Sequence, residues 1–596
     1  MVARAVRRAG APLLYLLLAV LGHARALTDL GRRAGAPLLY LLLAVLGHAR
    51  ALTDLGRRTQ CACGDLPQTD WFLGWTPHAV LTGHSPWFSR ALAVPDGVNL
   101  TWNTLLPLPG VLAAPLTVLA GPIAAHTLLA VLAFAGSATS MWWVVGRWAP
   151  WPPARFAAGL LYGFSPYVVG QGTGHLNLTL VALPPIVLLL LDDLLVRQQR
   201  AAWRTGALLG LVGLAQLLTT EEVLASTFVL CVVGLAVLVL QHRSQVRGRL
   251  RPAWAGLGVA AGVLTAGALW PLSVQFLGPQ RVSAPVQSAT RFAADLFGGL
   301  VPTTNQLLGT TATRTWGGNA VENGSYLGLP LVLLLGWLAW RSRSVAVVRW
   351  AVPFGLGGWV LSLGERLHVG GHDTGVGLPF AVLARLPLLG NLAAVRFSLY
   401  VVLAAALILA VGLDRWRPTW RAAPAGALCL LVLLPAWPYR YVDAAVPAYF
   451  TSSAVQRVPA GSVAITFPLA RVGSSAPMHW QAFAGYRYRS PGGYVITPLP
   501  GGRGTFRAGP LVVEKVFALA RGGQALPPPA GAVGGGVLAE LRRLHVDSLL
   551  VPEQERGSAA VVGWLTALLA RGPDEVTGGV SAWYALDPAG DPHPLR

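Results

Sequence analysis

The sequence has little charge and almost no lysine. Only 12% of its 596 residues are charged, and lysine occurs once, at Lys515, so arginine carries nearly all of the positive charge. Hydrophobic residues make up 54% of the chain, and its mean hydropathy is +0.55. A water-soluble protein of this length needs far more polar surface. The composition therefore excludes a soluble protein and predicts an integral membrane protein.

The motifs of several enzyme classes are also missing. The chain has no Walker loop, no G-x-G-x-x-G after a strand, no H-E-x-x-H and no G-x-S-x-G, which argues against nucleotide chemistry on the cytoplasmic side. The formal charge of +21 comes from arginines in short segments between apolar runs. It does not form a basic stripe that alternates with stacking aromatics, so we expect no nucleic-acid partner.

Cysteine is scarce, with four residues in the whole chain. Cys61 and Cys63 form a C-x-C pair with no second Cys/His pair nearby, which is a poor zinc signal. The two thiols are also too close in sequence for an easy disulfide. We therefore expect neither a metal nor a disulfide at this pair.

The N-terminal region contains a perfect tandem repeat. Residues 7–31 and 32–56 have the same sequence, RRAGAPLLYLLLAVLGHARALTDLG. A solenoid needs at least three diverged copies, so two identical ones indicate a recent duplication. We predict that the second copy forms the first spanning helix and treat residues 1–31 as a duplicated N-terminal segment. That segment resembles a signal peptide but has no convincing cleavage site.

Hydropathy predicts a mainly α fold, a polytopic transmembrane bundle of about eleven helices. The predicted spans lie near 36–53, 122–146, 153–171, 178–196, 203–220, 223–241, 253–276, 325–340, 346–363, 395–413 and 421–438. The arginine-rich connections all fall on one side, which the positive-inside rule makes the cytoplasm. The N-terminus is then cytoplasmic in a multi-pass protein of the cell membrane. The outer face receives the long loops 57–121, 277–324 and 364–394.

Residues 441–596 have a different texture from the preceding transmembrane region, which we place at 32–440. Short β-like runs such as SVAITFPLA and DSLLVPE occur with helical patterns such as VLAELRRLH and VVGWLTALLAR. These patterns predict a small α/β domain. Because the last predicted span ends on the outer side, we expect this domain to be extracytoplasmic.

The first outer loop contains the first candidate catalytic residues. Asp65 and Asp70 flank the start of an apolar stretch, WFLGW, which is typical of a short helix at a membrane interface. A long loop of this kind carries function more often than a short connector does. The alternative is that either aspartate caps the helix.

A second candidate site lies at the outer ends of later helices. Glu221 and Glu222 stand between two apolar runs, where carboxylates usually face a cavity or a partner. His175 and Asn177 occupy the preceding outer turn, and Arg396 begins a helix, where its guanidinium could hold a phosphate. The alternatives are a solvated turn for the glutamates, no special role for His175 and snorkelling for Arg396.

These features together resemble the GT-C superfamily of integral membrane glycosyltransferases. The first loop reads GDLPQTDWFLGWTPHAV, and the later segments that carry the resemblance are LLYGFSPY, GHLNL, QLLTTEEVL and VRFSLY. The resemblance covers about residues 36–500 and is closest in character to bacterial members that use polyprenyl-phosphate sugars. It implies a GT-C-like helical fold and sugar transfer on the outer face.

The resemblance also implies roles for the candidate residues. The donor would be a polyprenyl-phosphate sugar, and the acceptor a glycan, lipid or protein of the cell envelope. By position Asp65 matches the first-loop carboxylate of such enzymes, with Asp54 and Asp70 as competitors. Arg396 would stabilise the leaving phosphate. The adjacent glutamates would orient the acceptor or hold a divalent cation, which only some members use.

Two other functions remain open at this stage. A transporter or flippase of lipid-linked envelope intermediates should place ionisable residues near the membrane midplane and show repeated halves. This chain shows neither clearly, because its acidic residues gather at the outer helix ends. A non-catalytic envelope assembly protein, whose outer domain binds partners, is the third alternative.

Overall fold

A computed structural model describes residues 35–61, 64–241, 243–284, 286, 291–506 and 511–586. The duplicated segment 1–31 lies outside these residues. The α-helices of the described chain are Gly35–Gly47, Asp65–Thr82, Pro107–Leu112, Ala114–Ala120, Pro122–Val145, Pro152–Gly163, Pro166–Gln171, Leu176–Thr179, Leu183–Leu191, Ala202–Leu217, Glu221–Gln241, Arg243–Leu277, Leu329–Arg341, Ala346–Ser362, Phe380–Ala384, Ser398–Trp416, Ala423–Leu433, Ala448–Thr451, Ala476–Phe483, Val512–Gly522, Ala532–Arg543 and Ser558–Leu569.

The chain divides into two compact units. The first, here the helical unit, comprises the described residues of the ranges 1–52, 128–268 and 287–440. The second, here the mixed unit, comprises the described residues of the ranges 53–127, 269–286 and 441–596. The mixed unit thus combines the predicted first outer loop with the predicted C-terminal domain.

The helical unit is built around one buried helix, Ser398–Trp416. This helix packs against Ala346–Ser362, Pro152–Gly163 and Leu329–Arg341. Its sequence SLYVVLAAALILAVG is apolar all round, which is the pattern of a helix covered on every side. Gly412 lets Leu338 of the neighbouring helix approach closely, since a Cβ there would lie 2.7 Å from the Cβ of Leu338.

Four described helices are long and apolar enough to cross a membrane. They are Pro122–Val145, Glu221–Gln241, Gly248–Leu277 and Ala394–Trp416. Large apolar side chains such as Phe228, Trp254 and Trp270 are more than 60% exposed, which suits contact with lipid. A membrane helical fold is therefore what the structure indicates. The number of eleven spans and their orientation stay predictions.

Each predicted span overlaps a described helix, but two of them are interrupted. The span predicted at 153–171 consists of Pro152–Gly163 and Pro166–Gln171. Ser165 caps the second of these helices by accepting a hydrogen bond from the Val168 N–H, and Pro166 follows it. A proline has no N–H to continue the first helix but suits the first turn of the next. Hydropathy does not register such a break.

Short strands occur in both units, and the mixed unit holds a four-stranded sheet. The strands are Arg58–Thr59, Phe88–Ser89, Val98–Asn99, Arg366–Val369, His372–Gly377, Val442–Asp443, Val463–Thr466, Thr497–Pro498, Gly504–Thr505, Val546–Pro552, Glu575–Thr577 and Val580–Trp583. The larger sheet has the order Glu575–Thr577, Val580–Trp583, Val546–Pro552, Val463–Thr466. Its last two strands are parallel, and the other neighbours are antiparallel.

Alternate residues of this sheet face two different cores. On one face, Ile465, Leu549 and Trp583 pack against helices that follow the strand Val463–Thr466 in the chain. Leu550 and Ala582 face the opposite side, where they meet Trp480 and its aromatic neighbours. A strand with both faces buried reads as a continuous apolar run, as SLLV does here.

The segment before the helix Asp65–Thr82 contains one departure from expectation. Cys61 is disulfide-bonded, so the expectation that its C-x-C setting disfavours a disulfide was wrong.

The helix Asp65–Thr82 is buried along most of its length, although its sequence predicts a helix lying at a membrane interface. Its burial comes from packing against Ala476–Phe483, a contact partner about 400 residues later in the chain.

Candidate functional site

Asp70 lies between two histidines inside the mixed unit. Its Oδ1 is 2.6 Å from Nδ1 of His126, and its Oδ2 is 2.7 Å from Nε2 of His479. The aspartate and His479 are buried, and His126 is 13% exposed. Both carboxylate oxygens are thus engaged by imidazole rings. We call these three residues the Asp70 cluster.

Three separate chain segments bring the cluster together. Asp70 lies in the second turn of Asp65–Thr82, His126 lies near the start of Pro122–Val145, and His479 lies on Ala476–Phe483. The first and last of these helices share a second hydrogen bond, in which Nε1 of Trp71 donates to Oε1 of Gln481 at 2.7 Å. The pairing of the two helices therefore fixes the position of the Asp70 carboxylate.

The charge on Asp70 is set by two opposing effects. Burial raises the pKa of the carboxyl, but the two histidines lower it by charge and by hydrogen bonding. The net result is an Asp70 pKa below its ordinary value, so the carboxylate is ionised at neutral pH. A carboxylate only accepts hydrogen bonds, and each histidine must therefore turn an N–H toward it.

Asp65 lies elsewhere on the same helix. It is the first helical residue and is partly exposed, after Gly64 at the N-cap position. Five residues at about 100° each place its side chain about 140° around the helix from that of Asp70. The structure thus separates the two predicted catalytic aspartates in direction and in burial. Their catalytic roles stay predictions.

A second cluster lies in the helical unit around Arg396. Nε of Arg396 lies 3.2 Å from both carboxylate oxygens of Glu322, and its Nη1 donates to Oε2 of Glu222. The other oxygen of Glu222 accepts the Ala393 N–H at 3.0 Å. One guanidinium therefore bridges two carboxylates. We call this the Arg396 cluster.

Glu322 also contacts the end of the helix Pro166–Gln171 and the turn that follows it. Nε2 of Gln171 donates to Oε2 of Glu322 at 2.8 Å, and Nδ1 of His175 is 2.6 Å from Oε1 of Gln171. Glu322 is buried, which raises the pKa of its carboxyl, but Arg396, His175 and Gln171 together hold that pKa below its usual range. The Tyr167 hydroxyl, close enough to interact with these charges, is buried without a hydrogen-bond partner in the described chain.

Three of the predicted substrate-binding residues meet in this cluster. Glu222 contacts Arg396 directly. Glu322 contacts the same guanidinium and lies 3.6 Å from Nδ1 of His175, so it links His175 to Arg396. Glu221 is exposed at the first position of its helix, and Asn177 is partly exposed on Leu176–Thr179.

The sequence did not single out Glu322, His126 or His479. Glu322 stands in a loop, GGNAVENGSY, that has neither periodicity nor a motif. His126 opens an apolar run, and a lone histidine there carries no distinctive pattern. The aromatic and arginine-rich stretch HWQAFAGYRYRSPGGY begins with His479 and is typical either of interfacial anchors or of a surface that binds carbohydrate or membrane. Among the described residues no group of three or more His, Cys, Asp or Glu is arranged to hold a metal ion.

Comparison with known proteins shows similarity at the level of structure only. No protein-family model matches the sequence, and no curated protein matches it either. The structure of the arabinofuranosyltransferase AftD from Mycobacteria matches with a TM-score of 0.56 and 15% identity, over 94% of this chain and 40% of that one. This chain therefore spans about two fifths of the length of AftD.

A second match comes from an archaeal enzyme. The apo oligosaccharyltransferase of Archaeoglobus fulgidus matches with a TM-score of 0.50 and 11% identity, over 92% of this chain and 72% of that one. Both matched proteins are glycosyltransferases of the GT-C type, so the matches confirm the GT-C-like helical fold that the sequence resemblance implies. Identities this low establish the fold alone. The chain has the fold of the GT-C membrane glycosyltransferases.

Proposed function

We propose that this protein is a membrane glycosyltransferase of the GT-C type. It transfers a sugar from a polyprenyl-phosphate donor to a glycan, lipid or protein acceptor of the cell envelope, on the outer face of the membrane. The observation that carries the proposal is the GT-C fold, matched over more than nine tenths of the chain by two different glycosyltransferases. One of these is an arabinofuranosyltransferase and the other an oligosaccharyltransferase, so the choice between a hexose and a pentose stays open.

The proposed topology follows the arginine distribution. The N-terminus lies in the cytoplasm, and the domain 441–596 lies outside with the loops 57–121, 277–324 and 364–394. In this arrangement the Asp70 cluster is on the side where lipid-linked sugars are consumed. The sheet of the mixed unit then belongs to the extracytoplasmic part of the enzyme.

Sugar transfer places two demands on the protein. The acceptor hydroxyl must lose its proton as it attacks C1 of the sugar, and the leaving polyprenyl phosphate must be stabilised. We propose that the carboxylates of Asp65 and Asp70 serve the first demand, either directly or through a neighbouring side chain. The ionised state of Asp70 supports this role, because a carboxylate can accept or direct a proton and a protonated carboxyl group cannot accept one.

We propose the Arg396 cluster for the second demand. Arg396 would stabilise the leaving phosphate, and Glu221, Glu222, His175 and Asn177 would bind the substrate. The guanidinium is engaged by two carboxylates, so it would have to exchange one of them for a phosphate oxygen. The Tyr167 hydroxyl has no hydrogen-bond partner among the described residues, which supports a polar ligand at this place, since a buried hydroxyl without a partner costs stability.

Transfer of radiolabelled sugar tests the proposal. Membranes that contain the wild type, Asp65→Asn or Asp70→Asn are incubated with a panel of polyprenyl-phosphate sugars and envelope extract, at matched expression. Asp96→Asn is the control, because Asp96 is an exposed loop aspartate. We expect transfer by the wild type and the control, with a loss of at least about 100-fold when the acting carboxylate is removed. Absence of transfer from every donor would overturn the proposal in favour of a transporter or an assembly protein.

A further inference from the structure

We propose that His126 takes up the proton of the acceptor hydroxyl, and that Asp70 positions His126 rather than reacting itself. This assignment rests on the proposed glycosyltransferase function and names the base within it. It is carried by the geometry of the Asp70 cluster, in which only one of the three side chains has access to the surroundings.

Burial separates the three members of the cluster. Asp70 is 1% exposed, and the His479 side chain is fully buried. The His126 side chain is 13% exposed, so it is the member through which a proton can pass to a substrate. Each oxygen of the buried Asp70 carboxylate already accepts a hydrogen bond from a histidine, so an acceptor hydroxyl reaches the more exposed His126 more readily than Asp70.

Hydrogen bonding also assigns the proton positions on His126. Asp70 accepts the bond to Nδ1, so Nδ1 carries the hydrogen and the lone pair of the neutral ring lies on Nε2. In the described chain no hydrogen bond involves Nε2 of His126. A carboxylate that holds one ring nitrogen and leaves the other as base is the arrangement of an Asp–His dyad in acyl transfer.

His479 completes the arrangement from the other side. Its Nε2 donates to Asp70, and its Nδ1 is buried without a hydrogen-bond partner among the described residues. It thereby holds the second carboxylate oxygen in place and keeps Asp70 from turning away from His126.

The remaining titratable neighbours do not compete for the proton. Burial raises the pKa of Tyr441 to about 12 and that of Tyr486 well above its ordinary value, and the Asp70 charge adds to both shifts. Both phenols are therefore neutral at physiological pH. The charge that faces His126 is the Asp70 carboxylate, which stabilises the imidazolium once it forms.

In the proposed reaction, C1 of the sugar exchanges its bond to the phosphate for a bond to the acceptor. The acceptor oxygen forms a bond to C1 of the sugar while its proton passes to Nε2 of His126. The bond between C1 and the phosphate oxygen breaks, and polyprenyl phosphate leaves with the electron pair. The His126 imidazolium, held against Asp70, then returns its proton to solvent.

Three variants test this role in membranes that contain the full chain. His126→Gln keeps an amide that can bond to Asp70 but has no base, so kcat should fall by at least about 100-fold with little change in KM. The pH–rate profile should also lose its acid limb. His126→Ala should regain part of its transfer when imidazole is added. His84→Gln, which changes a histidine outside the cluster, should keep wild-type kcat.

The outcomes distinguish a role of His126 as base from a structural role, and both from a failure of the glycosyltransferase proposal. Wild-type kcat in His126→Gln, or an unchanged acid limb, would overturn the base assignment while leaving the glycosyltransferase standing. Failure of wild-type transfer from every donor would overturn the glycosyltransferase and with it the role of His126. A merely structural role predicts loss of transfer without imidazole rescue, together with a lower melting temperature in detergent, and that result would also overturn the assignment.

Discussion

Glu322 and Arg396, 74 positions apart in the sequence, meet in a double contact in which Nε of the guanidinium is 3.2 Å from each carboxylate oxygen. Glu222 contacts the same guanidinium from the start of another helix. One cation therefore compensates two anions that are largely shielded from water. Since a buried charge without compensation is costly, the cation should matter more to stability than either anion.

This asymmetry gives the first prediction. Arg396→Gln leaves two carboxylates without a cation and should lower the free energy of unfolding by about 3–5 kcal/mol. Glu322→Gln should cost clearly less, because Glu222 still pairs with the guanidinium. The measurement is thermal unfolding of the purified protein in one detergent.

An exposed ion pair provides the control for this comparison. Arg366 and Asp373 are 3.5 Å apart and about half exposed, so Arg366→Gln should change the free energy of unfolding by less than about 1 kcal/mol. If Glu322→Gln destabilised the protein as much as Arg396→Gln, the shared cation would not be the centre of this cluster.

The second prediction concerns acid stability. The folded state holds the pKa of Asp70 below its value in the unfolded chain, about 3.9. A lowered folded pKa contributes stability that is present above the unfolded pKa and is lost as pH falls through the folded one. Melting temperature should therefore fall in the wild type below about pH 4, and Asp70→Asn should remove part of that fall.

Two comparisons make the acid result specific. The pKa of Glu322 is lowered in the same direction, so Asp70→Asn should retain the share of the acid transition that belongs to Glu322. Asp96→Asn should leave the whole curve unchanged in shape. If the melting temperature of Asp70→Asn fell with pH in parallel with that of the wild type down to pH 2, the lowered pKa of Asp70 would be contradicted.

The sequence was informative where a residue type is costly in its setting. Carboxylates at the end of an apolar helix are rare, so the sequence drew attention to Glu222, which the structure places in contact with Arg396. Their contact joins positions 174 apart. No spacing rule reaches that far, and Glu322 in its irregular loop gives no local signal at all.

The Asp70 cluster also shows that the sequence does not predict contacts between distant positions. Asp70 was visible because an acidic residue beside WFLGW is conspicuous, and the sequence left helix capping as its alternative. Its actual partners are 56 and 409 positions away. Helix positions follow from hydropathy because burial in lipid or protein selects apolar runs. The apolar runs do not show which helix ends face each other, because that depends on how the helices pack.

The last prediction concerns how closely Tyr486 approaches the helix Asp65–Thr82. The Tyr486 hydroxyl donates to the Trp71 carbonyl at 2.9 Å, and a Cβ built on Gly74 would lie 2.2 Å from that hydroxyl oxygen. Gly74→Ala should therefore displace a buried tyrosine and lower the free energy of unfolding by about 1–3 kcal/mol. Ordinarily an alanine stabilises a helix relative to glycine, by up to about 1 kcal/mol, so the sign of the effect is diagnostic.

A second substitution isolates the clash. Tyr486→Phe removes the hydroxyl, after which the nearest ring atom, Cζ, lies 3.4 Å from the added Cβ. Tyr486→Phe alone loses one hydrogen bond and should cost about 1 kcal/mol, but in that background Gly74→Ala should become neutral or stabilising. The two changes are thus expected to be non-additive in thermal unfolding. Additive costs would mean that Gly74 is required for some reason other than its close approach to the Tyr486 hydroxyl.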